Sequence, residues 1–108
     1  MHKNTNFINL TPHDITILVN GEKRIFPASG QVLRLAEIRG EPRWVDGVPI
    51  VKKEFRIGGH LPPEQPDTLY IVSLVVKQAY PNRADFICAD DLVRNERGEI
   101  VAAKGFFQ

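Results

Sequence analysis

The sequence predicts a mainly β fold with one short helix, arranged as a small antiparallel β-barrel or sandwich, and three observations carry that expectation. Two dipeptides that favour tight hairpin turns, Asn20-Gly21 and Asp46-Gly47, each lie between β-prone runs. Short apolar stretches recur along the chain, divided by clusters of Gly, Pro, Asn and Asp. Only Ser73 to Tyr80 carries signals for a helix start and stop.

In chain order, Phe7-Ile8-Asn9-Leu10 reads as a first strand. Ile15-Thr16-Ile17-Leu18-Val19 places Ile15, Ile17 and Val19 on one face, turns at Asn20-Gly21 and returns as Glu22-Lys23-Arg24-Ile25-Phe26. Pro27-Ala28-Ser29-Gly30 is a turn, and Val32-Leu33-Arg34-Leu35 a further strand. A second hairpin runs from Pro42-Arg43-Trp44-Val45 through Asp46-Gly47 to Val48–Phe55, with Pro49 and the lysines placing it on an edge. Gly58 to Asp67 holds three prolines and two glycines and reads as an exposed connection.

Leu69-Tyr70-Ile71-Val72 has the continuous apolar character of a central strand covered on both faces. Ser73 offers an N-cap to a helix over Leu74–Tyr80 that Pro81 ends, with a strand continuing through Val76 as the competing reading. Phe86-Ile87-Cys88, Leu92-Val93-Arg94 and Ile100–Phe106 read as short strands, with a turn over Glu96–Glu99.

The 108 residues, 43% apolar and 25% charged, suit a single β-rich domain over residues 1–108. A formal charge of +1 gives no overall drive toward nucleic acid or an anionic membrane. The one cysteine, Cys88, has no partner for an intramolecular disulfide and is expected in the core, which with the missing leader pattern in Met1 to Asn6 points to a reducing, cytoplasmic setting. No apolar run approaches the roughly 18 residues a membrane helix needs. Histidines at 2, 13 and 60 show no metal-ligand spacing, and no cofactor fingerprint accompanies them.

Two polar groups carry the candidate site. Thr11-Pro12-His13-Asp14 ends the first strand; Thr11 or Asp14 can cap local amides there, while His13 can act as a ligand-contacting donor or a general base. Arg83 and Asp85, two residues apart after Pro81-Asn82, face the same side if extended. They form either a surface ion pair or a grip in which Arg83 holds an anionic or carbonyl group and Asp85 orients it. On the second reading Arg83→Ala leaves the fold intact and weakens binding. Asp90-Asp91 lacks the third spaced ligand that a cation site needs. Trp44, beside Arg43, is either an interface anchor or an aromatic closing its hairpin.

Three segments together, Ile8-Asn9-Leu10-Thr11-Pro12-His13, Leu69-Tyr70-Ile71-Val72-Ser73 and Arg94-Asn95-Glu96-Arg97-Gly98-Glu99-Ile100, resemble a family of small uncharacterised bacterial and phage or prophage-encoded proteins. The resemblance spans nearly the whole chain and implies a mobile-element origin rather than a reaction. Its recurrent polar positions fall on Thr11, Pro12, His13, Ser73, Arg83 and Asp85, and Ala89-Asp90 departs from the family's proline before an aspartate.

These readings converge on a small non-enzymatic binding module, with Thr11, His13, Ser73, Arg83 and Asp85 as ligand-binding residues and a small polar or anionic ligand, or a protein, as partner. The alternatives are a virion or assembly component, a host-directed inhibitor, and a small hydrolase with His13 as base and Asp85 orienting it. No cofactor, metal, nucleic acid or membrane is expected, and a homo-oligomer is compatible with the sequence.

Overall fold

The computed structural model describes residues 4–108; residues 1–3, part of the segment read above for a leader, lie outside them. Among the described residues ten strands and one helix follow in order: β1 Asn6–Asn9, β2 Ile15–Val19, β3 Glu22–Phe26, β4 Leu35–Arg39, β5 Arg43–Val45, β6 Val48–Ile50, β7 Lys53–Ile57, β8 Thr68–Ile71, α1 Leu74–Ala79, β9 Phe86–Arg94 and β10 Ile100–Phe107. Six of the strands form one curled, half-barrel-like sheet in the order β1-β8-β9-β10-β2-β3. The fold is therefore mainly β with one short helix, as the sequence predicts.

Pairing is antiparallel within β2–β3 and β9–β10 but parallel for β1–β8, β8–β9 and β10–β2. The parallel ladders join segments far apart in sequence, such as Asn6 with Thr68 and Ile17 with Ala103, which turn chemistry cannot reveal. Asn20 and Gly21, and Asp46 and Gly47, all take positive φ, the backbone of a two-residue type I′ turn.

Three elements differ from the expectation. Val32 to Arg34 is not a strand, because Leu33 N–H is used to bind the Leu10 carbonyl (3.0 Å) outside any ladder, and strand pairing begins only at Leu35. Val48 to Phe55 is not continuous: it splits into β6 and β7, so the hairpin grows into an arm in which β4 pairs with β7 and β5 with β6. Phe86 to Arg94 is one strand rather than two, since Asp90 and Leu92 stay paired with Gly105 and Ala103 while Asp91 absorbs a φ of 57° between them.

The core has two layers around β8 and β9. Tyr70, Val72 and Phe86 pack with Leu10 and Val76 on one face, where Leu35 and Ile57 join them and seat the base of the arm. Ile71 and Ile87 pack with Ile17, Phe26 and Ala103 on the inner face of the curl. The alternation of side chains along β8 feeds both layers at once, so this strand is covered on both sides. Ser73 takes the N-cap position in extended backbone without a side-chain hydrogen bond to the helix, and Tyr80 closes α1 before Pro81.

Asn9 closes the curl. Its side chain, 2% exposed, donates from Nδ2 to the carbonyls of His13 (2.8 Å) and Phe26 (3.0 Å), and its Oδ1 accepts from Thr11 N–H (2.9 Å) and lies 2.7 Å from the Thr11 hydroxyl. Its carbonyl accepts from Ser29 N–H (3.0 Å), and the residue forms a parallel bridge with Ala28. One residue thus links β1 to the chain leaving β3, the opposite edge of the six-stranded sheet.

Replacing Asn9 with Ala takes this partner from the Phe26 carbonyl and the Thr11 amide and leaves the His13 carbonyl with the Thr11 hydroxyl alone (3.0 Å); the expected loss is about 3 kcal/mol of unfolding free energy. Asn9→Asp, which removes both donors and buries a carboxylate, is expected to cost at least as much. Urea denaturation of both variants checks this, and an Asn9→Asp chain as stable as the parent would show that Asn9 does not close the sheet.

Candidate functional site

The five residues singled out in the sequence fall at two ends of the sheet. Asp85 immediately precedes β9 and its carbonyl binds Tyr70 N–H (2.7 Å), level with the middle of β1 in the β1–β8 register. Thr11, Ser73 and His13 lie beyond the other ends of β1 and β8. Thr11 and Ser73 are brought together, sharing two shallow cavities of about 370 and 250 Å³ that are lined mainly by apolar side chains. His13 is exposed and lines a third cavity of about 300 Å³ with Asp14 and the β9–β10 hairpin; Arg83 and Asp85 line none of these three.

Arg83 and Asp85 do meet. The guanidinium grips the carboxylate through two hydrogen bonds, Nε to Oδ1 at 2.8 Å and Nη2 to Oδ2 at 2.7 Å, and both side chains are largely buried. Nη2 also donates to the Pro62 carbonyl (2.8 Å), and the guanidinium carbon sits 4.4 Å from the centre of the Phe86 ring. Lys77, itself buried, donates from Nζ to the Arg83 carbonyl (3.0 Å). The pair therefore fastens the Gly58–Asp67 connection and α1 to the core. Of the two readings the sequence leaves open, the ion pair is present, largely buried rather than on the surface, and the fork spends its geometry on Asp85 and Pro62.

The Arg83 guanidinium holds the Asp85 carboxyl below the usual carboxylate range against the opposing effect of its burial. Burial pushes the Cys88 thiol up from its ordinary value, consistent with a core side chain beneath apolar neighbours. Among the described residues no group of three or more His, Cys, Asp or Glu side chains could hold a metal ion, and Asp90 and Asp91 stand without a third ligand. No helix among them is long and apolar enough to cross a membrane.

The largest unexplained feature lies elsewhere. The arm from Leu35 to Ile57 projects from the body, and the molecule measures 60 × 39 × 23 Å with a radius of gyration of 17.2 Å, against about 13 Å for a compact chain of this length. Its apolar side chains stand in solvent: Trp44 is 66% exposed and Val48 57%, with Ile38, Val45, Ile50 and Phe55 each above two fifths. Across the tip Trp44 pairs with Pro49 on one face, while Val45, Val48 and Ile50 occupy the other. Both faces of the ribbon are thus apolar, and both its edges are unpaired.

The sequence contains a signal for this. Trp44-Val45 and Val48-Pro49-Ile50-Val51 are consecutive apolar residues on either side of a two-residue turn, where a half-buried hairpin alternates. Of the two roles the sequence leaves open for Trp44, its exposure leaves it free to act as an interface anchor.

No family model matches the chain, and neither a curated protein nor a solved structure does.

Arg83→Ala leaves Asp85 unpaired and frees Pro62, and is expected to lower stability by about 2 kcal/mol, roughly 10 °C in Tm. Because the folded Asp85 pKa is depressed, its contribution is fully present above the ordinary carboxylate pKa and is lost as pH falls through the folded value. The gap between parent and Arg83→Ala should then narrow as pH drops from about 5 to below about 3. Thermal melts across that range test it; a gap that stays constant would assign the loss to the Pro62 hydrogen bond and packing on Phe86 rather than to the Asp85 ion pair.

Proposed function

We propose that this chain is a non-enzymatic protein-binding module whose contact element is the Leu35–Ile57 arm. The carrying observation is the exposure of apolar side chains on both faces of the arm tip. A two-stranded ribbon alone in water is marginal, and contiguous apolar surface of this kind marks a protein contact on soluble domains. Trp and Arg, adjacent here as Trp44 and Arg43, are also among the residues most enriched where binding energy concentrates.

The area supports the same reading. The chain exposes 8268 Å², while a compact domain of its 12.2 kDa exposes roughly 6,100 Å². The surplus of roughly 2,200 Å² exceeds the ~800 Å² that each partner contributes to a standard interface. An assembly component of a mobile element, the origin suggested by the resemblance, would be served by such an arm. The base of the arm is held firmly enough to transmit a contact, through Leu35 and Ile57 in the core and the Tyr80 hydroxyl, which lies 3.4 Å from the Ile57 amide nitrogen.

A benzophenone side chain placed at position 44 or 48, in the cell that makes the protein, should give discrete protein adducts on illumination. The same group at Arg97, exposed on the β9–β10 turn, should not. Equal, diffuse labelling from all three positions would remove the arm as a contact element.

A further inference from the structure

Resting on that reading, we infer that the partner of the arm is a second copy of this chain, whose groove beside the His13 turn receives the Trp44 tip. A ribbon that is apolar on both faces has to be enclosed from two sides rather than laid flat, so its acceptor is a groove. This chain carries one. The cavity of about 300 Å³ is floored by Ile15, Ala89 and Ala103 and walled by Leu92, Ile100 and Val101, three apolar side chains that are about half exposed.

The charges agree. Asp14 lines the groove, and Asp90 and Asp91 are exposed between its Ala89 and Leu92, while Arg43 stands next to Trp44 on the tip. Over its whole length the arm carries Arg39, Arg43, Lys52, Lys53 and Arg56 against Glu37, Glu41, Asp46 and Glu54, a near balance matching the chain's overall +1. The arm therefore carries no charge excess that would repel a copy of the same molecule.

One copy does not satisfy itself: Trp44 and Val48 stand in solvent, and Leu92, Ile100 and Val101 of the groove are about half exposed. The arm springs from Leu35 and Ile57, which pack on the Tyr70 and Phe86 layer, whereas Ile15, Ala89 and Ala103 belong to the opposite layer with Ile71 and Ile87. The base of the arm and the floor of the groove thus pack in different layers of the core. Tip-into-groove association either closes, as a reciprocal two-fold pair or a larger ring, or continues as a filament.

Sedimentation velocity and light scattering of the purified chain test this. The parent is expected to self-associate, to a dimer or larger, as its concentration rises from low micromolar toward millimolar. Trp44→Lys and Leu92→Lys, both at exposed positions, should each be monomeric and keep the parent's circular dichroism and Tm. Mixed in equal amounts they should form a one-to-one heterodimer and stop there, because the only competent tip and the only competent groove are on different chains.

A parent that stays monomeric throughout overturns the inference. So does a Leu92→Lys chain that still self-associates, which would point to arm-on-arm pairing, and so does a mixture that fails to complement. The two readings fail separately: adducts from position 44 to a different protein, with a monomeric parent, keep the arm as a protein contact and remove the second copy as its partner. Absence of both adducts and self-association removes both.

Discussion

The half-barrel depends on the buried amide of Asn9. A curled sheet of six strands leaves two edges, and unpaired edges expose amides and carbonyls that need partners. Asn9 supplies them where regular pairing ends: its side chain reaches the carbonyl of Phe26 at the end of β3, and its own carbonyl takes the Ser29 amide. The same side chain holds the turn after β1 through Thr11 and the carbonyl of His13. Every hydrogen-bonding capacity of the amide is used, which is the condition under which burying it stabilises a fold. The polar turn that looks like a site in the sequence is first of all the joint of the sheet.

A second joint, the Arg83–Asp85 pair, fixes the opposite end, and between them the body is complete without the arm. Leu35 and Ile57 belong to the core, but from Ala36 to Arg56 every apolar side chain except the half-buried Val51 stands exposed. The protein is thus divided in purpose: a body whose polar groups are satisfied internally, and a projection whose apolar groups are not.

Local chemistry made much of this readable beforehand. Asn20-Gly21 and Asp46-Gly47 specify positive φ at both central positions, which few other dipeptides take, so both hairpin turns are visible in the residues themselves. The apolar run at Leu69–Val72 and the Ser73 to Pro81 bracket locate the central strand and the helix for similar local reasons. What the residues could not show is long-range. Asn9 reads as one polar residue in a strand, and its role exists only because Phe26 and Ser29 come to it. Arg83 and Asp85 were legible as a pair, yet Pro62 and Phe86, which set what the pair does, are supplied by the fold. Thr11 and Ser73 become neighbours while His13 faces another groove, a distinction sequence spacing does not contain.

The sheet order also governs how the chain can be made. β10, furthest along the chain, lies inside the sheet between β9 and β2, and the ladder joining it to β2 is what unites β1-β8-β9 with β2-β3. A ribosome that has released everything through Asn95 has produced two fragments of sheet, each with an open edge, and roughly 5–15 s of synthesis separates β2 from its partner. During that interval β2 offers the Ile17 side of its backbone to any strand nearby. Residues 100–107 are therefore the wedge of the sheet: without them β2 keeps one neighbour, β3, and β9 keeps one, β8.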